Sequence, residues 1–322
     1  MNVAIAGLGN IAEKVSRTIN KLNDENIVLY ACFSRNMEKA EKFCRKFRFK
    51  KAYGSYERLL SDPNVDLVYI ATPHPCHYPM AKLAIEAKKN VLVEKPVSTD
   101  KEKFGRLIGL AKEKNVFFCE AFQTAFNPLV LQLREQLNSG EFGRIISVRS
   151  SFGIPLTHVK RMTEPTLGGG ALLDLGVYCI LHSVLYSNAK IKSLTARSEM
   201  YKTGVDKQTF ARIEFDDYSA TFKCSFSRFF KNEVIIQTTK YVIRMPEISF
   251  PKKLIIKDRA TGKKNVKKLK CITGYEFQFL EIAKCLAEKR LYTRFMPHKK
   301  SAKVLSVCDE IRRQISLSYP FD

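Results

Sequence analysis

The first twelve residues, MNVAIAGLGNIA, constrain the fold of this chain more than any other segment. A short apolar run ends at Gly7, Gly9 and Ala12, and the residues after it have the pattern of a helix. Gly7 would permit a tight turn out of a strand, Gly9 would let the backbone approach a pyrophosphate, and Ala12 is small enough for the helix to pack on the strand. The segment predicts a dinucleotide-binding unit with the phosphates at the helix N-terminus. A plain strand-to-helix turn is the alternative, because this spacing also recurs by chance.

Length and composition indicate a globular chain. Its 322 residues, of which 45% are hydrophobic and 27% charged, are enough for two domains with sizeable cores. We find no apolar run long enough to cross a bilayer and no secretory leader before the first strand, and we therefore expect a cytoplasmic protein without a membrane partner. The nine cysteines form no C-x-x-C pair, so we expect reduced, mostly buried thiols.

The formal net charge of +23 would attract anions over long range. The basic residues are spread along the chain, and the densest patch, residues 251–270, has a predicted hairpin turn at 260–262 flanked by solvated lysines. Because no recognisable nucleic-acid module accompanies the charge, we expect no nucleic-acid partner. Binding to nucleic acid stays open as an alternative, and anionic cofactors and soluble acids would also be attracted.

Residues 1–122 alternate short apolar runs with amphipathic segments, the pattern of parallel strands joined by crossover helices. The predicted strands are 3–6, 28–33, 67–71, 91–93 and 116–119, and the predicted helices after the first are 37–48, 78–87 and 101–114. In such sheets ligands bind beyond the carboxyl ends of the strands. The loops expected to face one crevice begin at Gly7, Ser34, Thr72, Glu94 and Glu120.

After residue 127 the pattern changes, and consecutive strands without intervening helices predict a mostly antiparallel sheet. The predicted elements are a helix to residue 137, a strand at 145–150, a helix at 172–185, several β-type segments between 193 and 256, and helices at about 275–288 and 299–317. We therefore predict an α/β chain with a Rossmann domain at 1–122. A substrate-binding and oligomerisation domain with an open sheet follows at 123–322, closely apposed to it across a crevice.

The second predicted strand is followed by Ser34 and Arg35, where NAD-binding proteins usually place an acidic residue on the ribose hydroxyls. Ser34 and Arg35 would instead hydrogen-bond and pair with a ribose 2′-phosphate, which favours NADP over NAD. From these two residues alone, a helix-capping Ser34 beside a solvated Arg35 explains the pattern equally well.

Glu94 and Lys95 end a buried-looking strand, just before Pro96. Two charges are unexpected there unless they face a polar cavity, and an ion pair at the sheet edge is the plain alternative. A cis Lys95–Pro96 bond would aim the lysine at one point in the crevice. Lys95 would then donate a hydrogen bond to a substrate oxygen or exchange its proton during hydride transfer.

Residues 168–179, GGGALLDLGVYC, place three glycines ahead of a helical run. Asp174 and Tyr178 are four residues apart in that run and share one helix face. The glycines would let substrate or nicotinamide approach the backbone. A structural glycine loop with Tyr178 as a core aromatic residue is the alternative.

The histidines predict no metal site. His74 and His77, in the segment TPHPCH, lack a supported third ligand, and their loop lies where the nicotinamide ribose would bind. The chain has neither H-E-x-x-H nor G-x-S-x-G, so hydrolytic chemistry has little support.

Several of these segments together resemble the family of glucose-fructose oxidoreductase, inositol dehydrogenase and MocA (Gfo/Idh/MocA). The segments are GLGNIA, FSR, ATPHPCH, VEKPV, CEAFQTAFNP, GGGALLDLGVYC and residues 296–322. The resemblance covers nearly the whole chain and is closest to the branch of NADP-dependent xylose dehydrogenases and dimeric dihydrodiol dehydrogenases. It implies homodimers or higher homo-oligomers, and hydride transfer between NADP(H), with NAD possible, and the carbinol or carbonyl carbon of a sugar, diol or related molecule.

The resemblance also implies roles for individual residues. Lys95 matches the family's catalytic lysine, Tyr178 its acid/base tyrosine and Asp174 a carboxylate of the substrate pocket. Arg161 joins these three in the predicted substrate site. Ala125 stands where relatives commonly have arginine, so the familiar substrates do not carry over directly. The predicted cofactor-binding residues are Gly7, Gly9, Asn10, Ile11, Ala12, Ser34, Arg35, Thr72, Pro73, His74, His77, Glu94, Lys95 and Glu120.

Two other functions fit the same residues. A relative could use transiently bound nicotinamide for a lyase or glycosidase reaction, and a catalytically silent NADP-binding regulator would also keep the Rossmann domain. The presence of Lys95, Asp174 and Tyr178 argues against the silent regulator. Neither the substrate, nor the reaction direction, nor the choice between Lys95 and Tyr178 as proton acceptor follows from the sequence.

Overall fold

The computed structural model describes residues 1–322, and the chain divides into two compact units. The first unit comprises residues 1–98, 102–123 and 271–298, and the second comprises residues 99–101, 124–270 and 299–322. The predicted domain boundary after residue 122 stays a prediction. The division into units adds one feature that the sequence did not indicate, because residues 271–298 return to the first unit.

Six strands form the sheet of the first unit: β1 (Asn2–Ala6), β2 (Val28–Phe33), β3 (Lys51–Tyr53), β4 (Leu67–Ile70), β5 (Asn90–Glu94) and β6 (Phe118–Ala121). They are all parallel, in the order β3-β2-β1-β4-β5-β6, which confirms the predicted Rossmann-type sheet. The central strand β4 is buried at every residue, as expected when both faces of a parallel sheet are covered. The three-residue β3 is too short to show periodicity and was not predicted.

Five helices lie between or after these strands: α1 (Asn10–Leu22), α2 (Met37–Phe47), α3 (Tyr56–Leu60), α4 (His77–Glu86) and α5 (Lys101–Lys114). Because all six strands run in one direction, their carboxyl ends lie along one edge of the sheet. The loops predicted to share that edge therefore do so.

Eight strands form the sheet of the second unit: β7 (Ile145–Gly153), β8 (Ile191–Met200), β9 (Asp206–Phe215), β10 (Ser219–Ser225), β11 (Phe230–Thr238), β12 (Tyr241–Pro246), β13 (Lys253–Asp258) and β14 (Lys264–Lys268). Their order is β14-β13-β12-β11-β7-β10-β9-β8. Only the central β7–β10 pair is parallel, so the predicted mostly antiparallel sheet is confirmed. The predicted hairpin turn is also present, with Gly262 at φ +71° between β13 and β14.

The remaining helices are α6 (Pro128–Asn138), α7 (Lys160–Thr163), α8 (Val177–Val184), α9 (Glu276–Ala287) and α10 (His298–Gln314). Helix α9 belongs to the first unit. The ring of Phe279 lies 5.6 Å from that of Tyr69 on β4, and the Phe118 N–H donates to the Leu291 carbonyl at 3.0 Å. Apolar packing and a main-chain hydrogen bond thus attach the returning segment to the Rossmann sheet.

One sequence-based expectation about apolar runs was wrong. The stretch Pro165–Val184 is long and apolar enough to cross a membrane by length and composition. In the fold 89% of its apolar window is buried inside the protein, as in a core helix. The cysteines follow expectation, since all nine are free and most are buried.

Candidate active site

The turn after β1 has the geometry that a dinucleotide requires. Gly7 has φ +93°, and a Cβ there would lie 2.7 Å from the Ala71 carbonyl oxygen, so only glycine fits. At Gly9 no atom lies within 4 Å of the Cβ position, which leaves room for a phosphate group. Gly9 is also the N-cap of α1 and gives it no side-chain hydrogen bond, so the helix N-terminus is available to an anion. Asn10, Ile11 and Ala12 begin this helix.

Thr72 lies beside this turn, in the loop after β4. Its Cγ2 atom would lie 2.7 Å from a Cβ at Gly7, and its buried Oγ1 has no hydrogen-bond partner. A buried hydroxyl without a partner is costly unless a ligand satisfies it. The glycine turn and this hydroxyl therefore fit the predicted dinucleotide.

The turn after β2 shows that Ser34 is not the cap of the following helix. The cap of α2 is Asn36, whose side chain accepts a hydrogen bond from Lys39 N–H at 2.8 Å, so Ser34 does not cap the helix. The Ser34 hydroxyl accepts from the Asn36 N–H at 3.3 Å, and Arg35 is exposed. The first carboxylate after β2 is Glu38, which pairs with Lys42 on the surface of α2.

Lys95 follows the carboxyl end of β5 and is only 8% exposed. Its peptide bond to Pro96 is cis. Glu94 accepts a hydrogen bond from the Tyr69 hydroxyl at 2.5 Å. Lys95 is therefore buried, and Glu94 half-buried, at the polar end of this strand.

Two buried side chains hold the main chain around Lys95. The His77 ring nitrogens lie 2.8 Å from the Pro96 carbonyl oxygen and 2.7 Å from that of Thr72, and Glu120 accepts a hydrogen bond from the Val97 N–H at 3.0 Å. Burial lowers the pKa of His77, the two carbonyl contacts oppose this shift, and the Lys95 charge adds to it. His77 and Glu120 thus fix residues 95–97, the Lys95 loop. Their positions in the sequence did not indicate this role.

No group of three or more His, Cys, Asp or Glu side chains in the described chain could hold a metal ion. His74 is buried, and its ring lies 5.6 Å from that of His77. Both ring nitrogens of His77 already contact main-chain carbonyl oxygens, those of Pro96 and Thr72. Pro73 precedes this pair at the start of a short 3-10 turn.

In the second unit, Asp174 and Tyr178 are the only residues from 171 to 186 that are not buried. Asp174 lies in a π-helical turn, Leu172–Gly176, and Tyr178 lies in the first turn of α8. The Tyr178 ring is 5.9 Å from that of Phe152 on β7. Tyr178 is therefore not a core aromatic residue, and the two predicted side chains emerge together from an otherwise buried segment.

Arg161 completes this group. Its guanidinium donates to both oxygens of Asp174, at 2.9 and 3.2 Å, in a bidentate pair. Burial works against the charge, but Asp174 and Tyr178 raise the pKa of Arg161, so the guanidinium stays charged. Ala125 is fully buried, and the guanidinium that pairs with Asp174 belongs to Arg161.

Two of the three glycines before this segment, Gly169 and Gly170, serve the fold rather than a ligand. A Cβ at Gly169 would lie 2.7 Å from the Met162 carbonyl oxygen, and one at Gly170 would lie 2.2 Å from Asp206 Oδ1. Close contacts within the chain itself therefore require these glycines.

Comparison with known families decides the identity of the fold. Residues 1–122 match an oxidoreductase family with an NAD-binding Rossmann fold, and residues 130–244 match the Gfo/Idh/MocA C-terminal domain. The chain belongs to the Gfo/Idh/MocA family. As a member of this family it is an NAD(P)-dependent oxidoreductase.

Two curated Gfo/Idh/MocA relatives illustrate how far the similarity extends. Trans-1,2-dihydrobenzene-1,2-diol dehydrogenase from Danio rerio is 32% identical over 99% of this chain and 98% of its own length. The enzyme of that name from Mus musculus is 30% identical over the same shares of the two chains.

Solved structures share the fold over almost the whole chain. Levoglucosan dehydrogenase, in complex with NADH and levoglucosan, aligns with a TM-score of 0.88 at 18% identity, covering 98% of this chain and 97% of that one. KijD10, a 3-ketoreductase from Actinomadura kijaniata in complex with NADP and TDP-benzene, aligns with a TM-score of 0.87 at 23% identity, covering 98% of both chains.

Proposed function

We propose that the protein is an NADP(H)-dependent dehydrogenase that transfers a hydride to or from the carbinol carbon of a sugar, diol or related small molecule. The observation that carries this proposal is the exposure of Asp174 and Tyr178 alone in a buried segment, with Arg161 paired to Asp174. A silent NADP-binding protein would have no need to keep these side chains unburied. The names of the curated relatives support a diol, and those of the structural relatives support a sugar.

Each polar group has a role in the proposal. Lys95 and Tyr178 bind the carbinol oxygen and accept its proton, while Asp174, held by Arg161, binds a neighbouring hydroxyl. Bound NADP supplies the hydride acceptor. The cofactor-binding set predicted above keeps its role, with His77 and Glu120 also fixing the Lys95 loop.

The test is a turnover screen of sugars and trans-diols with NADP, followed by Lys95→Met and Tyr178→Phe on the best substrate. We expect each variant to lose on the order of 100-fold or more in kcat, as removal of an acid/base group does. Lys82→Met, on the exposed surface of α4, is the matched control. Stoichiometric release of NADPH excludes the lyase or glycosidase cycle, and NADPH binding without turnover of any compound would favour the silent regulator.

We propose NADP rather than NAD because Ser34 and the exposed Arg35 replace the usual carboxylate after β2. Fluorescence titration with NADPH and NADH tests this preference, without interference from tryptophan. Arg35→Ala should weaken NADPH binding by about tenfold, the loss of one charge-assisted contact, and leave NADH binding unchanged. Tighter binding of NADH to the unaltered protein would contradict the preference.

We also propose that the protein is cytoplasmic and forms a homodimer or a higher homo-oligomer, with no nucleic-acid or membrane partner. Its charge makes the nucleic-acid point testable: salt-dependent retention on nucleic acid would contradict it.

A further inference from the structure

One buried carboxylate reaches the segment that carries Asp174 and Tyr178. Asp206, the first residue of β9, is fully buried. Its Oδ2 accepts hydrogen bonds from the Leu172 N–H at 2.8 Å and from the Thr209 hydroxyl at 2.6 Å. Its Oδ1 is buried without a hydrogen-bond partner.

The site segment depends on this contact because it has no cap of its own. Ala171 stands at the N-cap of the π-helical turn and forms no side-chain hydrogen bond. The first N–H groups of a helical segment need acceptors, and a carboxylate is favoured there by charge as well as by hydrogen bonding. Asp206 supplies this acceptor from strand β9, 34 residues further along the chain.

We propose that Asp206 is a positioning residue for the reaction, which fixes Asp174 and Tyr178 by anchoring the start of their segment. This inference rests on the proposed function. In this role Asp206 acts through the backbone at Leu172. A small displacement of a site segment costs much activity, because reacting groups must be held within a fraction of an ångström.

The loop before the segment is shaped around the same carboxylate. Gly170, at φ +116°, leaves the space that Asp206 Oδ1 occupies. On the other side, the hydroxyl of the buried Tyr319 donates to the Gly169 carbonyl oxygen at 2.7 Å. The glycine loop is therefore held by the β9 carboxylate and by the C-terminal segment together.

The burial of the Asp206 carboxyl gives this anchor a pH dependence. Burial raises the pKa of Asp206 to about 7, against the hydrogen bonds from Thr209 and Leu172, which lower it. Two titratable groups interact with the carboxyl, the Cys224 thiol on β10 and the Tyr319 hydroxyl in the C-terminal segment. Cys308 on α10 interacts with both of these groups, and Arg312 and Asp322 interact with Tyr319. The ionised carboxylate is the stronger acceptor, so the anchor tightens as pH rises through neutrality.

The test compares Asp206→Ala, Asp206→Asn and, as a matched control, Asp217→Asn at an exposed residue before β10. We expect Asp206→Ala to lose about tenfold or more in kcat/KM, since misplaced groups lose activity steeply. Its NADPH affinity should stay unchanged, because the glycine turn lies in the first unit. Asp206→Asn keeps an acceptor, so it should restore most of the activity and flatten the rise in kcat/KM near pH 7. An unchanged pH profile in Asp206→Asn would overturn the proposal.

Two further measurements keep the test decisive. Thr209→Val removes a hydrogen bond that lowers the Asp206 pKa, so the rise in kcat/KM should move to higher pH even if Asp206→Ala does not fold. Hydrogen–deuterium exchange across residues 171–178, which requires no turnover, should increase in Asp206→Ala and not in the control. Unchanged exchange overturns the anchor, whereas absence of turnover in the unaltered protein overturns the proposed function alone.

Discussion

The two groups of candidate site residues are held in different ways. The Lys95 loop is fixed by His77 and Glu120, which bind its main chain at Pro96 and Val97. The segment with Asp174 and Tyr178 is fixed at its start by Asp206, a fully buried carboxyl group whose pKa burial raises to about 7. The pKa of His77 is lowered by burial, so the titratable groups of the two anchors are shifted in opposite directions.

The largest expected effect is on stability, and it distinguishes two glycines, Gly170 in the second unit and Gly9 in the first. Gly170→Ala forces a Cβ to 2.2 Å from Asp206 Oδ1 at φ +116°, and should lower the free energy of unfolding by about 3 kcal/mol or more. Gly9→Ala meets no atom within 4 Å and should leave stability nearly unchanged while weakening NADPH binding. Chemical denaturation and NADPH titration of both variants measure this contrast; equal stabilities would contradict it.

The pH dependence of stability sharpens the difference between the anchors. Burial of its charge raises the pKa of Asp206 in the folded state to about 7 and outweighs the hydrogen bonds, which favour the ionised form. The net stabilising contribution of the group is therefore complete below the unfolded pKa and is lost as pH rises through the folded pKa, even though the hydrogen bond to Leu172 strengthens on ionisation. Between pH 5 and 6 this group should lower the free energy of unfolding by up to about 1.4 kcal/mol per pH unit. Denaturation curves of the unaltered protein and of Asp206→Asn should differ by this slope, and parallel curves would count against it.

The Lys95 loop can be loosened without touching Lys95. Glu120→Gln replaces the carboxyl acceptor of the Val97 N–H by an amide, which disturbs the contact that fixes the main chain, and should reduce kcat by about tenfold, a loss that corresponds to roughly 1.4 kcal/mol. Steady-state kinetics of the variant and of the unaltered protein measure this loss. An unchanged kcat would contradict the role of Glu120 in fixing the Lys95 loop.

The smallest effect is expected at the Arg161–Asp174 pair. Both side chains are partly exposed, so Arg161→Leu should raise the KM for substrate by about five- to tenfold and change kcat less. Arg149→Leu, on β7, is a control for the loss of an arginine from the same unit. A large fall in kcat with unchanged KM would instead place Arg161 in the chemical step.

Much of the Rossmann unit could be predicted. In a parallel α/β sheet, strands and helices alternate along the chain, so each element leaves its own local hydrophobic pattern in the sequence. The C-terminal helices and the antiparallel strands were also recognisable from periodicity. The return of α9 to the first unit was not, since its packing on Tyr69 joins residues about two hundred positions apart and leaves no local pattern. The π-helical turn around Asp174 was predicted as ordinary helix, because it too depends on contacts with a distant part of the chain. Gly176 in this turn packs against Cys224 on β10, and a Cβ at Gly176 would lie 3.0 Å from the Cys224 sulfur.

The sequence by itself determined the nucleotide turn at Gly7 and Gly9 and the candidate side chains Lys95, Asp174 and Tyr178, because each depends on spacing within a few residues. Tertiary structure alone decided what holds those side chains in place. His77 reaches Pro96 across 19 positions, Glu120 reaches Val97 across 23, and Asp206 reaches Leu172 across 34. Contacts over such separations depend on how strands and helices pack, and burial, which sets the Asp206 pKa, exists only once they have packed.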